Sequence, residues 1–231
     1  MHALTILAAL VAAYLVGSIS FAVIFSRVLG LADPRSYGSK NPGATNVLRS
    51  GSRPAALLTL AFDALKGYVP VLLVLVFGPR FGLDETVAAF VGLAAFVGHV
   101  WPVFFRFQGG KGVATAAGVL MAVNPLLGAC TLASFALVVA FTRYVSLGAI
   151  VAAVFAPFYQ ALIWGPEPLI AAIAAMSLLL IWRHEDNIKK LLAGAESRLG
   201  QRPAHHPAQH SAQHSAQHLA SHHSKPKKGH S

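Results

Sequence analysis

Apolar positions along this chain gather into long runs separated by short polar stretches, at 3–26, 54–78, 84–105, 113–123, 125–141, 146–163 and 167–182. Most are close to the roughly 20 residues that a helix needs to cross a hydrocarbon core of about 30 Å. The run at 113–123 is shorter, and a helix of that length rises only about 16 Å. It stops at Asn124-Pro125, where a proline that lacks a backbone N–H and clashes with the preceding turn interrupts a helix. The pattern predicts seven helices, with the alternative that 113–123 and 125–141 form one long helix.

Composition turns these helices into membrane spans. Of 231 residues, 55% are hydrophobic and 11% charged, whereas a soluble domain carries roughly 25% charged residues. The expected class is therefore an all-α polytopic membrane protein. A net charge of +10 would suit a nucleic-acid binder, but the cations fall between the spans and in the tail, where membrane orientation explains them without nucleic acid. With seven spans and the N-terminus outside, the segments 27–53, 106–112, 142–145 and everything after 182 face the cytoplasm and hold 16 of the 18 Lys and Arg residues. Joining 113–123 to 125–141 would move both Arg143 and the tail cations to the opposite side from this pattern and spoil the bias. Arg27 and Arg53 flank spans and read as topology anchors. The first run has no cationic leader before it and reads as a retained span.

Residues 1–199 form the expected membrane domain. From residue 200 the chain turns to Ala, Gln, Ser, Pro and His, with Ser-Ala-Gln-His at 211–214 and again at 215–218, the composition of a disordered tail. Eight of the eleven histidines lie there. A metal-binding role is open to them, but a low-complexity extension with incidental metal affinity is the reading placed first. Cys130 is the single cysteine, which excludes an intramolecular disulfide, and it lies in an apolar run.

Polar residues are costly within a bilayer, so their clustering marks candidate chemistry. The first cluster is the loop Asp33–Gly51, rich in hydroxyls, amides, glycines and cations. Its glycines let backbone N–H groups approach an anion, although a solvated loop has the same composition. The second is Phe107-Gln108-Gly109-Gly110-Lys111-Gly112-Val113-Ala114-Thr115. A glycine turn feeding a helix N-terminus offers unpaired N–H groups and a positive dipole end. Its spacing is not that of a Walker A loop, and a flexible loop with an orienting lysine has the same look. The third cluster runs from Trp182 to Glu196. If helical, it places His184 and Asn187 on one face beside an amphipathic stripe of Ile188, Leu191 and Leu192. Within spans, Asp63 and Lys66 are three apart and suited to pair structurally. His99 near the end of its span is a secondary candidate.

Together these clusters resemble the PlsY family, the bacterial membrane glycerol-3-phosphate acyltransferases that use acyl phosphate. The resemblance covers roughly residues 5 to 196. It rests on Gly38-Ser39-Lys40-Asn41-Pro42-Gly43-Ala44-Thr45-Asn46 with Arg49, on Gly109-Gly110-Lys111-Gly112-Val113-Ala114-Thr115, and on Arg183-His184 with Asn187-Ile188 and Gly194-x-Glu196, in that order. Ser20, Lys40 and Glu185 depart from the family's usual residues.

The resemblance implies a seven-span enzyme of the bacterial inner membrane with its active site at the cytoplasmic face. Its substrates would be glycerol 3-phosphate and a long-chain acyl phosphate, and its product lysophosphatidic acid. No cofactor is implied, and no metal, since the cytoplasmic loops lack a carboxylate cluster suited to Mg²⁺. A soluble enzyme that makes acyl phosphate is the implied partner. Arg49, Lys111, Ser39, the turn Gly109, Gly110 and Gly112, and the backbone near Gly43 would hold phosphate. Thr45, Asn46 and Asn187 would orient the acceptor or steady the oxyanion, with Thr115 opening the helix beside them. His184 would bind substrate phosphate or, second in rank, help remove the hydroxyl proton. A small organic-anion transporter is the competing reading. It would place its site near the midplane between repeats, whereas these residues gather on one side and no internal duplication is visible.

Overall fold

The computed structural model describes residues 2–201, and these are helical with no strand among the described residues. In chain order the helices are α1 (His2–Gly17), α2 (Phe21–Val28), α3 (Ala44–Leu48), α4 (Arg53–Phe77), α5 (Glu85–Val100), α6 (Val113–Val123), α7 (Pro125–Thr142), α8 (Val145–Trp164), α9 (Ile170–Arg183) and α10 (Glu185–Leu192). Five stretches are long and apolar enough to cross a membrane: His2–Val28, Arg53–Phe81, Glu85–Phe105, Pro125–Thr142 and Val145–Trp164. Val113–Val123 and Ile170–Arg183 are apolar but shorter. The tail reading falls outside the described residues, apart from Gly200 and Gln201.

The first span is not one smooth helix. Its ladder stops at Ser18–Ser20 between α1 and α2, and the freed carbonyl of Ile19 accepts a 2.7 Å hydrogen bond from Lys66 of α4. A backbone group at membrane depth must find a partner within the protein, and Lys66 supplies it. The break between α6 and α7 falls at Asn124, as the Asn-Pro pair predicts. The Asn124 side chain caps α7, accepting from the N–H groups of Leu126 (2.9 Å) and Leu127 (3.2 Å).

α4, α5 and α6 pack against one another at the centre, α1 packs on α5, α7 and α8 follow from α6, and α9 returns from α8 to pack on α5. Small residues let the central backbones touch. Gly67 of α4 lies against the carbonyl of Thr115, and Gly118 of α6 lies against the carbonyl of Ala64, so a methyl at either would sit about 2 Å from an oxygen. Membrane helices associate through such close packing, because lipid tails provide no hydrophobic drive between them. The outer surface is apolar, with Phe141 86% exposed, as a lipid-facing wall requires. The reciprocal α4–α6 contact fixes the start of α6, and with it the glycine turn, to the middle of the bundle.

Candidate active site

The glycine turn rests on the end of α5. The N–H of Gly110 donates to the carbonyl of His99 (3.2 Å). A Cβ at Gly109 would stand 2.1 Å from that same oxygen, and one at Gly110 would stand 2.2 Å from His99 Nε2. Gly112, which caps α6, has φ +81 and faces the Phe96 ring, so no side chain fits there without strain. The N–H groups of Gly109, Lys111 and Gly112 have no hydrogen-bond partner among the described residues. Three turn donors are thus available to an anion, while that of Gly110 is committed to the fold.

Lys111 projects from this turn to the third cluster. Its ammonium donates to Asn187 Oδ1. Asn187 Nδ2 in turn donates to Glu196 Oε1 (2.6 Å), which also accepts from Ser146 Oγ (2.7 Å). Burial lowers the Lys111 ammonium to about 8, opposed by the carboxylates of Glu196 and Asp186. Arg183, the last residue of α9, donates from Nη2 to the carbonyl of Gly109 at 3.4 Å. Its buried Nε has no partner among the described residues.

His184 occupies the junction between α9 and α10 and is 3% exposed. Its Nδ1 lies 2.8 Å from the carbonyl of Leu180. A carbonyl only accepts, so Nδ1 carries the proton and Nε2 of the neutral ring is the acceptor. Burial pulls the imidazole down to about 4, so it is neutral at physiological pH. Glu185 is exposed and pairs with Lys189 (2.5 Å).

The first loop joins through the segment after α10. Arg49 Nη2 donates to Ser197 Oγ (2.9 Å), and Ser197 adjoins Glu196. The segment is held further by Leu199 N–H on the carbonyl of Arg143 (2.7 Å). A continuous path therefore runs from Arg49 through Ser197 and Glu196 to Asn187 and Lys111, touching all three sequence clusters. Ser39 and Thr45 are exposed in the first loop, and Gly43 caps α3.

Two expected ligand-facing side chains are occupied elsewhere. Asn46 is 2% exposed, donates to the carbonyls of Pro34 (2.7 Å) and Tyr37 (3.2 Å), and accepts from the N–H of Ser39 (3.0 Å). Thr115 is fully buried and its hydroxyl donates to the carbonyl of Asp63 (2.9 Å). Both build the scaffold, because an inward-facing polar group takes whatever backbone partner lies nearest. Conversely, Glu196, Ser146 and Arg183 enter the site without having been assigned to it. Glu196 and Arg183 were visible in the third motif, but Ser146 has no local signal.

The chain's relatives fit this arrangement. The sequence model of one family, described as glycerol-3-phosphate acyltransferase, matches residues 7–194. A glycerol-3-phosphate acyltransferase of Paraburkholderia xenovorans is 60% identical over 192 residues, 83% of this chain and 90% of the relative. One of Ralstonia nicotianae is 60% identical over 83% of this chain and 93% of the relative. Among solved structures, the crystal structure of PlsY, an integral membrane glycerol 3-phosphate acyltransferase, in its glycerol 3-phosphate form superposes with a TM-score of 0.79 at 39% identity, covering 85% of this chain and 96% of that one. A second PlsY crystal structure, the lysophosphatidic acid form, superposes at 0.77 with 38% identity over the same shares. This chain, with three polar clusters joined at one end of a helical membrane bundle, belongs to the PlsY family of glycerol-3-phosphate acyltransferases.

Proposed function

We propose that the acyl donor is a long-chain acyl phosphate and that the 1-hydroxyl of glycerol 3-phosphate attacks its carbonyl. The hydroxyl oxygen forms the new ester bond, the carbonyl–phosphate bond breaks, and lysophosphatidic acid and inorganic phosphate leave. The observation that carries this reading is the gathering of Arg49, Lys111 and Arg183 with three unpartnered N–H groups at the Gly109–Gly112 turn. Both substrates bring phosphate, and an acyl phosphate is already activated, so cations and positioning suffice for catalysis.

Lys111 and Arg49 bind phosphate, with Ser39, Thr45 and the backbone near Gly43 closing the pocket from the first loop. Asn187 steers Lys111 and faces the acceptor. His184 suits a different partner from the one the sequence ranked first. With Nδ1–H held by Leu180 and the ring neutral, Nε2 accepts a hydrogen bond and therefore favours the substrate hydroxyl over its phosphate. Its low basicity makes it an orienting acceptor, and the departing phosphate takes the proton in the end.

The chain crosses the bacterial inner membrane seven times, with the N-terminus outside and the site at the cytoplasmic face. The five long apolar stretches and two short ones support that count, and the cation bias supports its direction. A soluble acyl-phosphate-forming enzyme supplies the donor. The test gives purified protein palmitoyl phosphate and radiolabelled glycerol 3-phosphate, with palmitoyl-CoA in a parallel reaction. Labelled lysophosphatidic acid with the acyl phosphate alone is expected; product with palmitoyl-CoA alone overturns the donor assignment.

A further inference from the structure

A second polar site lies beside the turn and is not part of the Lys111 path. An open cleft of about 820 Å³ separates the end of α2 and the first loop from the segment between α5 and α6. Arg27, Arg35 and Arg106 line it together with Gln108, and Asp33 is its one carboxylate. Asp33 is committed to Arg35, with Nη2 to Oδ2 at 2.6 Å and Nε to Oδ1 at 3.0 Å, and that pairing holds its carboxyl below the usual range. Arg27 and Arg106 have no ion-pair partner among the described residues. The cleft therefore carries three guanidinium groups against one carboxylate, Arg27 acting on Asp33 only at longer range, and each guanidinium is a fork suited to phosphate oxygens.

Its other wall is apolar and open. Ile24, Val28 and Phe104 line it and are all exposed, Val28 at 73%. Arg27 lies in the last turn of α2, at the end of the first long apolar stretch, the depth at which lipid headgroups lie. Arg106 is carried there by a backbone in the left-handed region at two successive side-chain-bearing residues, Arg106 and Phe107 (φ 55 and 58). Such strain persists only where the surroundings hold it. A soluble phosphate would use the arginines but leave the apolar wall idle, whereas a phosphate-headed lipid uses both.

We propose that this cleft binds the headgroup of an anionic bilayer phospholipid, with an acyl chain along Ile24, Val28 and Phe104. Lys111, His184, Asn187 and Arg49 do not line it, so the lipid is a resident and not a reactant, and the inference is independent of the acyl donor. Gln108 ends the cleft one residue before Gly109, so an occupant steadies the approach to the glycine turn.

The test titrates phosphatidylglycerol or phosphatidylcholine into the full chain in detergent and reads the thermal midpoint, with retained lipid counted by native mass spectrometry. Phosphatidylglycerol is expected to bind one to one and raise the midpoint. The double variant Arg27→Gln with Arg106→Gln is expected to weaken that binding about 100-fold, ten-fold for each charge-assisted contact. Lys40→Gln with Arg80→Gln, which removes the same charge from exposed positions outside the cleft, is expected to retain it. Equal weakening in the two double variants, equal stabilisation by phosphatidylcholine, or no bound lipid overturns the site. One-for-one displacement of phosphatidylglycerol by palmitoyl phosphate overturns the resident-lipid assignment in favour of a donor path. Acyl transfer by the unsubstituted protein is measured alongside, so failure of the proposed reaction is seen separately.

Discussion

Charge gathers both in the middle of the bundle, where it is buried, and at its Lys111 end, where it is half-buried or exposed, and the two regions handle it differently. In the middle, Asp63 pairs with Lys66 at 2.7 Å, Lys66 also donates to Ile19, and His99 Nδ1 stands 3.7 Å from Asp63. All three are less than a tenth exposed, and the opposite charges cancel. At the end, the carboxylates of Glu196 and Asp186 are outnumbered by Arg49, Lys111, Arg183 and Lys190. Glu196 also spends one oxygen on two neutral donors, Asn187 and Ser146. A balanced cluster is complete in itself and serves the fold. A cationic surplus beside unpartnered N–H groups is complete only with an anion, which is the physical signature of a binding site.

Breaking the balanced cluster has the largest effect, and it acts on folding. Asp63→Asn leaves the Lys66 ammonium uncompensated and costs about 3–5 kcal/mol. A lower thermal midpoint in detergent reads it, with activity lost in proportion to folded protein. Asp63→Asn with Lys66→Met removes both charges and regains part of that loss, the remainder being the Ile19 carbonyl left without its Lys66 donor.

Breaking the surplus acts on chemistry instead. Lys111→Ala is expected to lower kcat/KM for glycerol 3-phosphate about 10²- to 10³-fold, the cost of one preorganised charged donor, with the thermal midpoint little changed. His184→Ala follows at about 10²-fold, the cost of a misplaced attacking hydroxyl once its orienting acceptor is gone, and falls on kcat more than on KM.

The pH profile sharpens the comparison further. Lys111 loses its proton as pH rises through about 8, so phosphate affinity weakens above that pH and KM for glycerol 3-phosphate climbs. Below it Lys111 stays charged, and His184 stays neutral down to about pH 4. Lys111→Arg, whose guanidinium does not titrate in this range, is expected to remove the alkaline rise in KM while lowering kcat, because a fork cannot replace an ammonium donating to Asn187. The smallest effect is expected from Thr115→Val, which deletes the hydroxyl bond to Asp63 and costs about 1 kcal/mol of stability. Activity per folded molecule stays near normal; a hundred-fold loss there would return Thr115 to the site.

The helices were legible because a bilayer imposes a length and an apolar composition on anything that crosses it, and that constraint is local. The Asn124-Pro125 break was legible for the same reason, since a missing N–H and its cap act within one turn. The glycine turn and the residues Lys111, His184 and Asn187 stood out as polar groups where polarity is costly. Sequence by itself could therefore determine a helical membrane protein, its family and a set of candidates for its site. It could not decide which polar side chains face a ligand. Asn46 and Thr115 sit in the same motifs as Arg49 and Lys111, yet each is consumed by a carbonyl that folding brings within 3 Å. Nor could spacing reveal that Ser146 and Glu196 meet across 50 residues, or that His99 forms the floor of the Gly109–Gly110 turn. Hydrogen bonds are short and directional, so tertiary packing alone assigns their partners.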